Sequence, residues 1–299
     1  QEYPVHTITN GIVTAQIYLP DQDKGFYKAT RFDWSGIIGS LIYQGIDYFG
    51  QWYSKHNPRV NDAISGPVEE FNEIGYECIE DEDEFLKIGI GGLRKSNNEQ
   101  YDRFKLYEII NPGEWIVERT GRKVVFRHLI KDVSGYSYCY TKCVELTVGI
   151  PELLITHTLK NTGRKVIKTK VYNHNFLTIG HLFTDSNVVV TFPENIVKSI
   201  SDNKNRILNI DKNRVGFTRA IFPNESVMVM NINDNPVAGS IIVENEKLKA
   251  GVEITSDARY STIHFWASER TCCPEPYINI ELFPRQEIDW SFKYVFYVK

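Results

Sequence analysis

Residues 136–173, YSYCYTKCVELTVGIPELLITHTLKNTGRKVIKTKVYN, contain three consecutive runs with the character of β-strands. The runs cover residues 136–148, 153–161 and 166–173 and are rich in Val, Ile, Tyr and Thr, which favour strands. The turn signal Asn161-Thr162-Gly163 separates the second run from the third. This stretch therefore predicts neighbouring strands joined by tight turns.

Similar runs recur along the rest of the chain, at residues 12–19, 36–43, 85–91, 105–111, 115–119, 124–130, 188–192, 227–231, 238–243, 249–255, 262–266, 278–283 and 290–298. Helical periodicity is scarce, and short helices are predicted only near residues 67–73 and 199–205. Pro112-Gly113, between two apolar runs, predicts a hairpin. Many strands without helices imply packed sheets, so we expect an all-β sandwich or barrel. No linker-like segment interrupts residues 1–299, which favours a single domain.

Composition and charge narrow the class of protein. The net charge of −4 argues against a nucleic-acid partner, which usually needs a basic stripe. No run of about 18 apolar residues predicts a membrane span. Five cysteines occur without a Cys-x-x-Cys pair, so no structural zinc site is expected. No motif predicts another metal site, and calcium held by carboxylates on separate loops is the alternative left open. Because the chain begins at Gln1 without Met, we expect a periplasmic or secreted protein after processing, with a cytoplasmic location as the alternative.

The first candidate catalytic residue is His174, in a strand that ends in the polar cluster Tyr172-Asn173-His174-Asn175. Histidine is the side chain whose ordinary pKa lies near neutral pH, and at a strand end it can face a cleft. The neighbouring amides, Asn173 among them, would order a substrate or the imidazole ring. The alternative interpretation is a histidine satisfied by local hydrogen bonds.

The second candidate is Glu275, in Cys273-Pro274-Glu275-Pro276-Tyr277. Two flanking prolines restrict the backbone and predict a rigid, non-helical turn, and rigidity suits a positioned base. The alternative is an exposed loop carboxylate. Because the two candidates are far apart in sequence, only the fold can bring them together.

Both segments resemble one protein family. Asn173-His174-Asn175-Phe176-Leu177 resembles the Asn-His-x-Tyr-Phe-Asn-Leu motif of aldose 1-epimerases, or galactose mutarotases. Cys273-Pro274-Glu275-Pro276 resembles the Cys-x-Glu-Pro segment near the end of many members. The resemblance implies a large antiparallel β-sandwich of the galactose mutarotase-like type. It also implies that His174 is the general acid, that Glu275 is the general base, and that no cofactor is needed.

The chain departs from the family pattern in its first half. Family members carry a second histidine in a His-Gly motif, whereas the nearest segment here, Lys87-Ile88-Gly89-Ile90-Gly91-Gly92-Leu93-Arg94, has none. Lys87 or Arg94 is therefore the candidate hydrogen-bond donor to the sugar. Together with Arg31, these cations would suit an acidic or phosphorylated sugar, and ordinary surface charge is the alternative explanation.

Three more segments supply candidate substrate-binding residues. Arg31, Asp33 and Trp34 lie in Thr30-Arg31-Phe32-Asp33-Trp34-Ser35-Gly36, a cluster that offers charge and a stacking face. The alternative is an Arg31–Asp33 pair that braces a loop over a core Trp34. Glu70, in Gly66-Pro67-Val68-Glu69-Glu70-Phe71, adds a carboxylate.

These observations favour a sugar 1-epimerase that acts on a free hexose or an oligosaccharide end, as a monomer or dimer. The first alternative is a carbohydrate-binding protein without catalysis, which the missing histidine favours. The second is a polysaccharide-processing enzyme on the same fold, since a fold does not determine its chemistry. A lyase would need a base near an arginine, and Tyr172 with Arg31 is the one combination that fits.

Overall fold

The structure is a computed structural model that describes residues 3–96, 99–196, 200–202 and 206–299. The described residues form 23 β-strands and two short 3₁₀ helices, Tyr76–Cys78 and Ile179–His181. The strands of the first half are β1 (Val5–Thr9), β2 (Val13–Tyr18), β3 (Ile37–Tyr43), β4 (Ile46–Asp47), β5 (Val68–Phe71), β6 (Glu84–Lys87), β7 (Gly91–Arg94), β8 (Ile109–Asn111), β9 (Glu114–Arg119), β10 (Lys123–Val133), β11 (Tyr136–Leu146) and β12 (Glu152–Asn161). The remaining strands are β13 (Ile167–His174), β14 (Val188–Thr191), β15 (Ile200–Asp202), β16 (Leu208–Asp211), β17 (Arg214–Phe217), β18 (Ser226–Met230), β19 (Ile241–Asn245), β20 (Ala250–Ser256), β21 (Thr262–Ser268), β22 (Thr271–Leu282) and β23 (Glu287–Val298).

Two large antiparallel sheets form the body of the protein. The ten-stranded sheet has the order β16-β17-β14-β19-β20-β23-β12-β11-β10-β9, and the six-stranded sheet has the order β15-β18-β21-β22-β13-β5. Strands β1–β4 form a four-stranded sheet and β6–β8 a three-stranded one. The prediction of an all-β, large antiparallel sandwich is confirmed. Whether residues 1–299 form one domain stays a prediction.

Alternating side chains bury the inner faces of the two large sheets. In β10 every second residue from Val124 to Ile130 is buried, and β11, β12 and β23 follow the same rule. Val144 and Ile155 of the ten-stranded sheet share one core with Val171 and Ile278 of the six-stranded sheet. Fully burying such a side chain stabilises the fold by about 1.5–3 kcal/mol.

Several sequence-based assignments need correction. Residues 67–73 were predicted to be helical, but Val68–Phe71 is strand β5. The predicted strand at residues 85–91 is instead the hairpin of β6 and β7, because Gly89 and Gly91 adopt positive φ angles of 78° and 141° that break the run. Within the predicted helix at residues 199–205, Ile200–Asp202 is a strand, and the other positions lie outside the described residues.

Two loop predictions also fail. Pro112-Gly113 is not a hairpin turn, because β8 pairs with β7 whereas β9 pairs with β10 in another sheet. The predicted turn around Glu275 lies within β22, the strand next to β13.

Among the described residues, both helices are three residues long, so no helix has the length to cross a lipid bilayer.

Candidate active site

The site lies where two central strands of the six-stranded sheet lose their backbone hydrogen bonds. Strands β13 and β22 pair continuously from Ile167↔Leu282 to Tyr172↔Tyr277, and the same register returns at the isolated bridge Leu177↔Cys272. Between these points the register places His174 directly opposite Glu275. Because the Cys272 amide donates to the Leu177 carbonyl at 3.0 Å, His174 and Glu275 occupy a non-hydrogen-bonded position, where facing side chains come closest.

The two prolines explain why this part of the sheet opens. The backbone groups of Pro274 and Pro276 point towards β13, since the Pro274 carbonyl accepts a hydrogen bond at 2.9 Å from the side chain of Asn175 on that strand's extension. Proline has no N–H, so two donors of the ladder are missing at these positions. The pattern Pro-Glu-Pro therefore opens the sheet on both sides of Glu275 without shifting its register.

His174 and Glu275 form a close, nearly buried pair. The Nε2 atom of His174 lies 3.4 Å from Oε1 of Glu275, and the two residues are 4% and 5% exposed. Both line a cavity of about 270 Å³. Its other walls are Arg31, Trp52, Asp62, Arg103, Phe104, Tyr172, Phe176, Met228, Trp266 and Tyr277.

Aromatic rings hold the imidazole of His174 in place. The ring stacks on Phe176 with centroids 3.8 Å apart and meets the edge of Phe32 at 5.6 Å. Its Nδ1 is buried and has no hydrogen-bond partner in the part of the chain that the structure describes. Burial lowers the pKa of His174 well below its ordinary value, and the charges of Arg31 and Arg103 lower it further. The imidazole is therefore neutral at pH 7.

Glu275 has the opposite electrostatic character. Burial raises the pKa of its carboxyl group to about 8, although Arg31 favours the charged form. At neutral pH the pair consequently holds one titratable proton besides the N–H of the neutral imidazole, and Glu275 carries that proton. A carboxyl group and a neutral imidazole 3.4 Å apart can donate a proton to one oxygen atom and accept one from its neighbour.

Glu70 organises the cationic wall of the site. It lies opposite Tyr172 in the β5–β13 pair, and the Tyr172 hydroxyl donates a hydrogen bond to its Oε2. The Nε of Arg31 donates to the same oxygen at 2.7 Å, while Lys87 Nζ and Arg103 Nε lie 3.8 and 3.5 Å from Oε1. Burial opposes ionisation of Glu70, but the three cations outweigh it and lower its pKa.

The predicted residues on this wall differ in access to the cavity. Arg31 lines it, while Glu70 and Lys87 are buried behind the lining. Arg31 pairs with Glu70 and Asp62 rather than with Asp33. Burial lowers the pKa of Lys87 to about 8, although Glu70 favours its charged form.

Four other predicted binding residues lie away from the cavity. Asn173 and Asp33 are buried, and neither lines the cavity. Arg94 is partly exposed and pairs with Glu108 at 2.8 Å. Trp34 is buried and lines a different, larger cavity of about 540 Å³ together with Lys28, Arg59 and Tyr107. The described residues that line that cavity include no histidine beside a carboxyl group, so the smaller cavity with His174 and Glu275 is the better candidate.

A buried polar layer supports the site from the core side. Glu69 accepts hydrogen bonds from Lys142, from His157 Nε2 at 3.0 Å and from Asn173 Nδ2 at 3.1 Å. Burial opposes its ionisation, but Lys142 and His157 hold the pKa of Glu69 well below its usual range. The Tyr294 hydroxyl lies 2.7 Å from Asn173 Oδ1 and 2.8 Å from Asn175 Oδ1, so it ties this layer to Asn175, the residue that follows His174.

Sequence reasoning missed several cavity residues. Tyr277 closes the Cys-Pro-Glu-Pro segment and stacks on Tyr172 at 4.5 Å, so the period of two along β22 was a usable signal. Trp52 and Arg103 come from distant parts of the chain and carry no local motif. Only the tertiary structure brings them to the site.

Comparisons with known proteins bear on the fold. No protein-family model matches the chain, and no curated protein matches its sequence. Solved structures do match. A galactose mutarotase-like protein from Lactobacillus casei is 12% identical with a TM-score of 0.58, and the alignment covers 98% of this chain and 100% of that one.

Two further structures agree. A galactose mutarotase-like protein from Clostridium acetobutylicum is 14% identical with a TM-score of 0.58 and coverage of 100% of this chain and 96% of that one. An aldose epimerase homologue from C. elegans is 12% identical with a TM-score of 0.56, over 100% of both chains. Because the identities are low, the likeness concerns architecture. The chain described here has the galactose mutarotase-like fold.

Proposed function

We propose that the protein is a sugar 1-epimerase that interconverts the α and β anomers of an aldose, with His174 and Glu275 as its acid–base pair. The observation that carries this proposal is the in-register pair itself, 3.4 Å apart in a cavity walled by aromatic rings. Ring opening needs one proton removed from the anomeric hydroxyl and one delivered to the ring oxygen. These two oxygens share a carbon atom, so an acid and a base that serve them must stand side by side.

The proton count of the pair fits this reaction. One proton held between His174 and Glu275 is enough, because the member that donates to the ring oxygen is restored when the sugar closes again. The family resemblance makes His174 the donor to the ring oxygen and Glu275 the acceptor from the hydroxyl. With the resting proton on Glu275, this assignment requires the proton to pass to His174 Nε2 before the ring opens.

The aromatic walls suit a sugar. Trp52 stacks on Phe176 at 5.4 Å, and Trp266 meets the edge of Trp52 at 5.4 Å, so apolar faces border the acid–base pair. Ring faces of this kind pack well against the C–H faces of a pyranose, while the arginines and carboxyl groups supply hydrogen bonds.

Polarimetry or NMR of freshly dissolved α-aldoses, neutral and acidic, tests the proposal. We expect the wild type to accelerate equilibration above the spontaneous rate for at least one sugar. Glu275→Gln and His174→Asn should each lose about a hundredfold or more of that acceleration. Acceleration that survives in either variant would remove that residue from the mechanism.

A second candidate function is carbohydrate binding without catalysis. One observation favours it: among the described residues that line the cavity, His174 is the only histidine. A sugar that raises the temperature at which the protein unfolds would support this candidate, provided that the protein accelerates the anomer equilibration of none of the tested sugars.

The lyase alternative receives less support. Tyr172 and Arg31 do meet, with an Arg31 nitrogen 3.0 Å from the Tyr172 hydroxyl. However, that hydroxyl donates a hydrogen bond to Glu70, and burial and the charge of Glu70 raise the pKa of Tyr172 well above its ordinary value. A tyrosine that must ionise to act as a base is poorly placed here.

A further inference from the structure

We propose that the sugar bound here carries an acidic substituent, a carboxylate or a phosphate, and that the guanidinium of Arg103 binds it. The inference rests on the proposed function in that it places an aldose in this cavity. It adds the chemical class of that aldose, which the acid–base pair does not define.

The first argument is the balance of charge in the ion-pair network of the cavity wall. Arg31, Lys87 and Arg103 surround the single carboxylate of Glu70, and Asp62 is the only other carboxylate in contact with these cations in the described part of the chain. Asp62 binds Arg31, not Arg103. Glu73 lies nearby, but burial raises the pKa of its carboxyl group and so disfavours its charge. Three cations therefore face two carboxylates in this network, which leaves a net positive charge on the cavity wall.

The second argument is the geometry of Arg103. The Arg103 side chain is 37% exposed and lines the cavity, whereas Lys87 is fully buried and Arg31 is 10% exposed. Its Nε faces Glu70 at 3.5 Å, and its remaining described polar neighbour is the Tyr277 hydroxyl. Since a guanidinium has five N–H donors, much of this donor set is left for a ligand.

The third argument is shape. A guanidinium presents parallel N–H groups that match the two oxygens of a carboxylate or a phosphate. The guanidinium carbon of Arg103 stands 6.0 Å from the centre of the Tyr172 ring, which packs against Tyr277 on the same wall. Its positive charge also acts on His174 and Glu275: it lowers the pKa of His174 and partly offsets the rise in the pKa of Glu275 that burial causes. An anion bound there would lie close to the reacting end of the sugar.

The test is calorimetric binding of glucuronate, glucose 6-phosphate and glucose to the whole protein, compared with Arg103→Gln and Arg103→Lys. We expect at least one anionic sugar to bind about tenfold or more tightly than glucose, the size expected for a charge-assisted hydrogen bond. Arg103→Gln should abolish that preference, and Arg103→Lys should keep part of it. Arg94→Gln, which removes a charge from a surface ion pair, is the control and should leave the preference unchanged.

The outcomes separate this inference from the proposed function, because binding is measured without turnover. Anion-selective binding that depends on Arg103 supports the inference even if no sugar is epimerised. The tighter of the two anionic sugars then shows whether the site prefers a carboxylate or a phosphate. Equal or tighter binding of glucose overturns it, and so does an equal loss of affinity for all three sugars in Arg103→Gln. Accelerated epimerisation of glucose alone would overturn the inference and leave the proposed function standing.

Discussion

The side-chain amide of Asn175 donates a hydrogen bond to the carbonyl oxygen of Pro274 at 2.9 Å. Asn175 follows His174 and Pro274 precedes Glu275, so this bond links the two residues of the proposed acid–base pair where the ladder has lost its backbone donors. The amide oxygen of Asn175 receives the Tyr294 hydroxyl at 2.8 Å. One buried carboxamide thus replaces part of the missing ladder and connects it to the core.

The role of Asn175 can be tested with Asn175→Ala. Losing the three buried hydrogen bonds of this side chain should lower the free energy of unfolding by about 1–3 kcal/mol. We also expect kcat to fall about tenfold with KM little changed, because His174 and Glu275 lose their alignment rather than their contact with sugar. Asn213→Ala, which removes a 2.8 Å bond to the Phe192 carbonyl far from the site, is the matched control. A loss in KM alone would contradict a positioning role.

The pH dependence of the rate reports how many protons the pair must hold. If one proton is required, activity stays level near neutral pH and falls as pH rises through about 8, where Glu275 loses its proton. The acidic limb lies well below the ordinary histidine pKa, because His174 resists protonation. NMR exchange rates, corrected at each pH for the spontaneous reaction, provide the measurement. A rate that climbs through pH 8 would mean instead that ionised Glu275 is the active form.

Glu275 should also reduce stability at alkaline pH. Its carboxyl pKa is about 8 in the folded protein and ordinarily 4.5. The contribution of the protonated carboxyl group to the free energy of unfolding is therefore complete below about pH 4.5 and is lost as pH rises to 8. We therefore expect Glu275→Gln to gain about 1 kcal/mol or more over wild type between pH 5 and pH 8. Urea unfolding at both pH values measures this gain, and Glu281→Gln, at an exposed position, should show no such trend.

Lys142 should be indispensable to the fold. It is buried and contacts Glu69 and, at 3.7 Å, Asp33. Lys142→Met would leave carboxylates buried without their cation, which should cost about 3–5 kcal/mol. Lys168→Met, in an exposed 3.5 Å pair with Glu281, should cost less than about 1 kcal/mol. Thermal and urea unfolding of the two variants would decide, and similar losses would contradict the importance of the buried layer.

The strand pattern could be predicted because burial alternates along strands such as β10–β12. His174 and Glu275 could be proposed as candidates because their short segments resemble a family, and the structure places them side by side. The strand around Glu275 was misread because proline usually marks a turn, and only the gap beside β13 permits it. Charged residues such as Lys142 and Glu69 give no local sign of burial, since their partners are distant in sequence. Arg103 lies on a loop without periodicity, so nothing in its neighbourhood points to the cavity.

Strand β23 has a consequence for how the protein is made. It lies between β12 and β20 in the ten-stranded sheet. It therefore joins β9–β12, which come earlier in the chain, to β14, β16, β17, β19 and β20, which come later. On the ribosome, β9–β12 must therefore wait with one edge unprotected until residues 287–298 emerge. An exposed edge of this kind is a template for pairing with other chains. We expect ribosome-bound chains that stop before residue 287 to recruit chaperones, whereas chains that include β23 would close the sheet.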